Sequence, residues 1–159
     1  TDLSRASVIT MYLLPEFNLQ LRPSLLALKP GTRIVSHDWD MGDWKPDATT
    51  VVDVPDKQVG LEKTSRIHLW VVPARVEGLW CGAGGRLQLR QRYQELVGDV
   101  AGRVEGATVL VGSTRFTLAG DTLQAHAVFL GQGGRLPARV RAFIEFPAAN
   151  IRLPKLTTR

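Results

Sequence analysis

The residues best equipped for chemistry lie together in Ser36-His37-Asp38-Trp39-Asp40-Met41-Gly42-Asp43. Asp38, Asp40 and Asp43 are spaced like oxygen ligands for a hard cation such as Ca²⁺. An EF-hand loop counted from Asp38 would need Gly at its sixth position and Glu at its twelfth, but Asp43 and Thr49 stand there. The plainer reading is a loop that ends a strand, with Asp side chains making Asx turns and Trp39 and Trp44 covering a core. A small hydrolase or metal-dependent enzyme built on the His37–Asp43 loop is an alternative, but it lacks a nucleophile–base pair. Ser36 and His37 are neighbours, and neighbours on a strand point to opposite faces. There is also no G-x-S-x-G elbow.

Outside this segment the chemical signals are weaker. His37, His68 and His126 are separated by 31 and 58 residues, which matches no zinc-ligand spacing. Cys81 is the single cysteine, and with no basic pair beside it, it reads as a packing residue. Arg86, Arg90 and Arg92 share one face of a strand, opposite Leu87 and Leu89. Tyr93 falls on the other face, so the stacking surface that single-stranded nucleic acid requires is not formed. Arg139 and Arg141 repeat the pattern of a solvated outer face.

These side chains must be carried by elements of two kinds. Up to about residue 48 the pattern is strand, helix, strand. Ser7–Pro15 and Thr32–Ser36 read as buried strands. Between them lies a helix over 22–28, with Pro23 in its first turn, Asn18 as a plausible N-cap, and a stop at Lys29-Pro30-Gly31. Strand, helix and strand joined by short connections is the unit of a parallel sheet. Beyond the Trp-bearing loop the apolar period becomes two, over Thr49–Val54, Arg66–Val72, Arg86–Arg92, Leu96–Val100, Thr108–Val111, Arg115–Leu118, Thr122–Leu130 and Ala138–Phe146. Glycine-rich breaks separate several of these runs, and Gly120-Asp121 has the character of a hairpin turn. The expected fold is mainly β: a small α/β unit over 1–48, then an antiparallel meander or barrel-like sheet over 49–159.

Composition limits the function classes. The chain has 159 residues, 44% hydrophobic and 22% charged. No apolar run approaches the roughly 20 residues of a membrane span, so no membrane association is expected. One cysteine excludes an internal disulfide framework. With no signal peptide in view, a cytoplasmic location is the expectation. The net charge of +5 is uneven, with −2 over residues 1–60 and +7 over 61–159. Arg residues on solvent-facing strand positions account for the basic part, and a nucleic-acid partner is not expected.

Residues 11–48, MYLLPEFNLQLRPSLLALKPGTRIVSHDWDMGDWKPDA, resemble a bacterial group of class I S-adenosylmethionine-dependent methyltransferases. In that group a strand ends in a YLLPE-like turn, and a helix carries an NLxLRPxLL-like run. A KPGTRIVSHDFDMGDW-like strand and loop follow. The likeness continues more weakly through Leu69–Arg75 and Leu87–Leu96. It implies that Tyr12, Pro15 and Glu16, together with His37, Asp38 and Asp40, line the substrate side. It further implies that Asp2 stands where the family can approach the adenine end of the cofactor.

The Gly-rich cofactor loop of that family has no counterpart here. Gly82-Ala83-Gly84 and Gly131-Gln132-Gly133 fall between strands and do not open a helix. The resemblance therefore implies the C-terminal half of a methyltransferase with its appended β-rich segment. S-adenosylmethionine would bind only when the missing half is supplied, and methyl transfer by this chain alone is not expected. A parallel strand pair without outer neighbours exposes a backbone edge, so a homo-oligomer covering residues 7–36 is expected. The alternative function is a β-barrel module holding one small ligand.

Overall fold

The computed structural model describes residues 2–58, 60, 62–82, 85–98, 100–112, 114–126 and 151–152. The chain forms two compact units, Thr1–Val72 and Pro73–Arg159.

In the first unit, β1 (Val8–Met11), helix α1 (Pro15–Leu26) and β2 (Arg33–His37) form the expected parallel crossover. Val8 lies opposite Arg33 and Met11 opposite Ser36. β3 (Ala48–Asp53) and β4 (Thr64–Val71) complete a four-stranded sheet in the order β1-β2-β4-β3. β4 runs antiparallel to β2, with Arg33 opposite Val71, and to β3, with Ala48 opposite Leu69. This corrects the expected boundary between residues 48 and 49: both strands after the Trp-bearing loop complete the first sheet. Backbone pairing with β2 outweighs the change to period two that marked residue 49 as a border.

The helix also differs from expectation. It begins at Pro15, at the position where a missing N–H costs nothing. It then continues through Pro23 to Leu26. Leu14 is the N-cap residue and makes no side-chain cap, so Asn18 lies inside the helix. Asn18 and Leu25 are the buried residues of this helix, and they hold its inner face against the unit. Met41, Trp44, Trp70, Ile34 and Val72 are buried with Leu25. The Trp70 indole N–H donates to the Trp44 carbonyl at 2.9 Å. On β4, Ser65, His68 and Trp70 are buried, whereas the aliphatic Ile67, Leu69 and Val71 are half-buried. His68 Nδ1 and Thr49 Oγ1 share a hydrogen bond of 2.9 Å.

The second unit is a closed antiparallel barrel. Its strands are β5 (Gly78–Gly82), β6 (Gly85–Arg92), β7 (Glu95–Val97), β8 (Gly102–Glu105), β9 (Thr108–Val111), β10 (Thr114–Ala119), β11 (Thr122–His126) and β12 (Ile151–Arg152). Around the ring the order is β10-β11-β12-β5-β6-β7-β8-β9. Leu87 and Leu89 face inward, opposite exposed Arg86 and Arg90, as the alternation requires. They join Trp80, Leu96, Val104, Val109, Val111, Phe116 and Leu123 in one buried cluster. Gly82, the first residue of the first G-x-G stretch, ends β5 and pairs with Gly85, which opens β6; Ala83 and Gly84 lie outside the described residues. Gly120 takes φ 61° in the β10–β11 turn. The second G-x-G stretch and the expected strand at Ala138–Phe146 lie outside the described residues.

Gln91 ties the chain that enters this barrel to its wall. Its Nε2 donates to the carbonyls of Ala74 and Tyr93 at 2.8 and 2.7 Å, and its Oε1 accepts from the Val76 N–H at 2.8 Å.

Gly102 has no room for a side chain, because a Cβ there would lie 2.1 Å from the Leu110 carbonyl oxygen. Relieving that overlap means moving backbone within the β8–β9 pair. Gly102→Ala is expected to lower unfolding stability by about 2 kcal/mol or more, on the scale of overpacked cores, as read by urea denaturation. A wild-type midpoint in that variant would refute the register of β8 against β9.

Candidate functional site

The candidate site lies where β1 and β2 end. In a parallel pair, the loops leaving the carboxyl ends of the strands form the crevice that takes ligands. Here those loops are Tyr12–Leu14, which leads into α1, and the segment from Asp38 onward.

α1 grips the second loop through two side chains one turn apart. Asn18 is fully buried, and its Nδ2 donates toward Ser36 Oγ at 3.3 Å and toward the Trp39 and Asp40 carbonyls at 3.2 Å each. Ser36 Oγ itself donates to the Trp39 carbonyl at 2.7 Å. Arg22 donates from Nη1 to the Met41 carbonyl at 2.8 Å and pairs with Asp43. Asp40 Oδ1 accepts from the Gly42 N–H at 3.0 Å, closing an Asx turn.

Asp38 faces a different set of partners. Its backbone lies in the left-handed region at φ 60°, uncommon for a residue with a side chain. Oδ1 accepts from the Arg66 backbone N–H and Oδ2 from Lys57 Nζ, both at 2.7 Å. The Asp38 N–H donates to the Arg66 carbonyl at 2.7 Å. His37 Nδ1 lies 3.5 Å from Asp38 Oδ2, and its ring meets Tyr12 edge-on with centroids 4.8 Å apart. Burial pushes the Asp38 carboxyl up, but the bonds from Lys57 and Arg66 and the nearby His37 outweigh it, so the group titrates below the usual carboxylate value.

An open cleft of about 340 Å³ lies beside these groups, lined by Tyr12, Asp38, Trp39, Lys57, Gly60, Glu62 and Arg66. Tyr12 is 77% exposed and Trp39 46%. Arg66 is matched by Glu62 at 3.1 Å. Of the residues expected on the substrate side, Tyr12 and Asp38 line the cleft, and His37 stands behind them. Pro15 opens α1, Glu16 lies in its first turn, and Asp40 turns to its own loop. Asp2 accepts from the Ser4 N–H at 2.9 Å, which lowers its titration, and it is not part of the lining.

The structure separates the three carboxylates proposed as cation ligands. Asp38 meets Lys57, Asp40 meets Gly42 and Asp43 meets Arg22. Among the described residues no group of three metal-capable side chains forms. Sequence reasoning missed Lys57, Gly60, Glu62 and Arg66, which come from the β3–β4 hairpin and carry no motif. It also missed the clamp made by Asn18 and Arg22. A polar residue among the apolar positions Leu19, Leu21 and Leu25 was the available signal for Asn18, and it was read as a cap.

No protein-family model matches the chain. A protein-lysine N-methyltransferase of Saccharolobus islandicus is 45% identical over 72 residues, covering 45% of this chain and 41% of that protein. A solved RNA methyltransferase of Salinibacter ruber, in complex with S-adenosyl-L-homocysteine, is 43% identical. That match covers 48% of this chain and 44% of the other, with a TM-score of 0.39. The chain thus spans less than half the length of each of these relatives. Over that part it is related to S-adenosylmethionine-dependent methyltransferases.

Two outcomes test this geometry. Asn18→Leu keeps the volume but removes the loop's donors, and each lost bond is worth about 1 kcal/mol. A loss of about 2–3 kcal/mol in thermal or urea unfolding is expected, with Trp39 fluorescence shifting toward that of a solvated indole. For Asp38, a folded-state pKa below its ordinary value means that its stabilisation is present above that value and disappears as pH falls through the lower one. Wild type should therefore exceed Asp38→Asn in stability at pH 5–8, and the difference should close below about pH 3.9, the ordinary Asp value. A constant difference down to pH 2 would contradict the assignment.

Proposed function

We propose that this chain carries the acceptor-side part of an S-adenosylmethionine-dependent methyltransferase, with the methyl acceptor entering the cleft beside Tyr12, Asp38 and Trp39. The observation that carries the reading is the coincidence of that cleft with the carboxyl ends of β1 and β2, within a chain whose relatives are methyltransferases. What supports an amine acceptor, as in the protein-lysine relative, is that the lining has two rings and two carboxylates, the latter paired with Lys57 and Arg66.

The described residues do not by themselves fit the methyl donor. The turn between β1 and α1 is Tyr12-Leu13-Leu14 and has no glycine to let a backbone approach a nucleoside. α1 opens on Pro15 and Glu16, and the carboxylate occupies its first turn. The donor therefore needs a cofactor-binding segment, and more than half of each relative lies outside the match. Among the described residues β1 pairs with β2 alone, and Val8, Leu13, Leu14, Phe17 and Leu19 near it are exposed. This edge is where we place that segment or, in its absence, a second copy of the chain. The packed interior of the barrel speaks against a ligand cavity there and for a supporting role.

Calorimetry with S-adenosylmethionine tests the reading. The 159-residue chain is expected to show no binding, and a chain joined to the preceding half of a relative is expected to bind the donor and methylate lysine in a peptide. Clear binding by the shorter chain refutes the missing cradle, and a joined chain that binds but methylates nothing refutes the acceptor cleft. Light scattering at micromolar concentration is expected to give a dimer or larger assembly, and a monodisperse monomer would remove the proposed edge pairing.

A further inference from the structure

The cleft already holds an ammonium group. Lys57 Nζ donates to Asp38 Oδ2 and to the Thr64 carbonyl, both at 2.7 Å, within a cleft whose lining includes Tyr12 and Trp39. Two oxygen acceptors with aromatic surface nearby are what a partly desolvated primary ammonium requires. Lys57 reaches this point from the β3–β4 connection, where its backbone is set by two bonds. Its N–H donates to the Val54 carbonyl at 3.0 Å, and its carbonyl accepts from Lys63 Nζ at 2.8 Å.

We propose that Asp38 and the Thr64 carbonyl form a primary-ammonium site, occupied by Lys57 in this structure, and that an acceptor lysine enters by displacing it. The charges of the cleft support an occupied site. Arg66 is matched by Glu62 and Lys57 by Asp38, so an entering anion meets two cations already held, whereas an entering ammonium can exchange one for one. Asp38 is fixed from below by the Arg66 N–H, so the carboxylate keeps its place while its ligand changes. Lys57 then acts as a built-in competitor that excludes amines too weakly held elsewhere to displace it. This rests on the reading of the cleft as the acceptor side, but its test needs no methyl donor and is decided separately.

The test is chemical rescue. Lys57→Ala removes the atoms from Cγ to Nζ, which n-propylammonium replaces. Binding is followed by the fluorescence of half-exposed Trp39, compared with a Trp39→Phe background. Saturable binding to Lys57→Ala is expected to be about tenfold or more tighter than to wild type, because an internal occupant lowers apparent affinity by the fraction of sites it fills. Neutral 1-propanol should not compete, and Asp38→Asn in the same background should abolish the response. Equal responses in wild type and Lys57→Ala, or equal binding of the alcohol, overturn the proposal. Should Lys57→Ala fail to fold, acetylation rates read by mass spectrometry decide in its place. Lys57 is expected to react more slowly in wild type than in Asp38→Asn, and equal rates overturn the site.

Discussion

A buried carboxamide has no water to bond with, so its partners must come from the protein itself. The Asn18 Nδ2 finds its partners in Ser36 Oγ and in the carbonyls of Trp39 and Asp40, while its Oδ1 is buried without a hydrogen-bond partner. The bonds fix where the chain goes after β2. They turn Met41 and Trp44 into the core, where Trp70 of β4 donates to the Trp44 carbonyl. Arg22, one helical turn beyond Asn18, holds Met41 and Asp43 from the same side. A loop that carries three carboxylates is thereby held by hydrogen bonds from two side chains of α1.

The consequence for chemistry is a division of labour among those carboxylates. Asp40 and Asp43 are spent on the loop. Asp38, the residue after β2, has a left-handed backbone, bonds to the β3–β4 connection and becomes the one carboxylate of this loop that lines the cleft. Its neighbour His37 packs on Tyr12 across the parallel pair, so the two strand ends are joined by ring contact as well as by backbone bonds. Tyr12, Asp38 and Trp39 of the cleft thus come from the ends of both strands of one crossover.

The barrel obeys simpler rules. Its strands alternate, its turns carry glycine at positive φ except at Tyr93 (φ 54°) between β6 and β7, and its inward residues meet in a single cluster. One position departs from alternation for a steric reason: Gly102 leaves room for the Leu110 carbonyl, where any side chain would collide with backbone. That approach lies between the paired strands β8 and β9.

The sequence by itself determined the local features. Periodicity in Arg86–Arg92 told inward leucines from outward arginines, because side chains on a strand alternate whatever surrounds them. The crossover of β1, α1 and β2 was legible from two β-branched runs around a proline-marked helix, and the methyltransferase relationship from the residues of that crossover. Tertiary structure alone decided the rest. Pro23 reads locally as the first turn of a helix over 22–28, yet the helix starts at Pro15 and buries Asn18 ahead of that proline. β3 and β4 read as the start of the second unit, yet ladder bonds to β2 claim them for the first. The cleft was beyond local reading for the same reason. Asp38 meets Lys57 across 19 positions and the Arg66 N–H across 28, and neither pairing leaves a periodicity or a spacing in the chain. Only folding the β3–β4 hairpin onto the end of β2 brings those groups within hydrogen-bond distance.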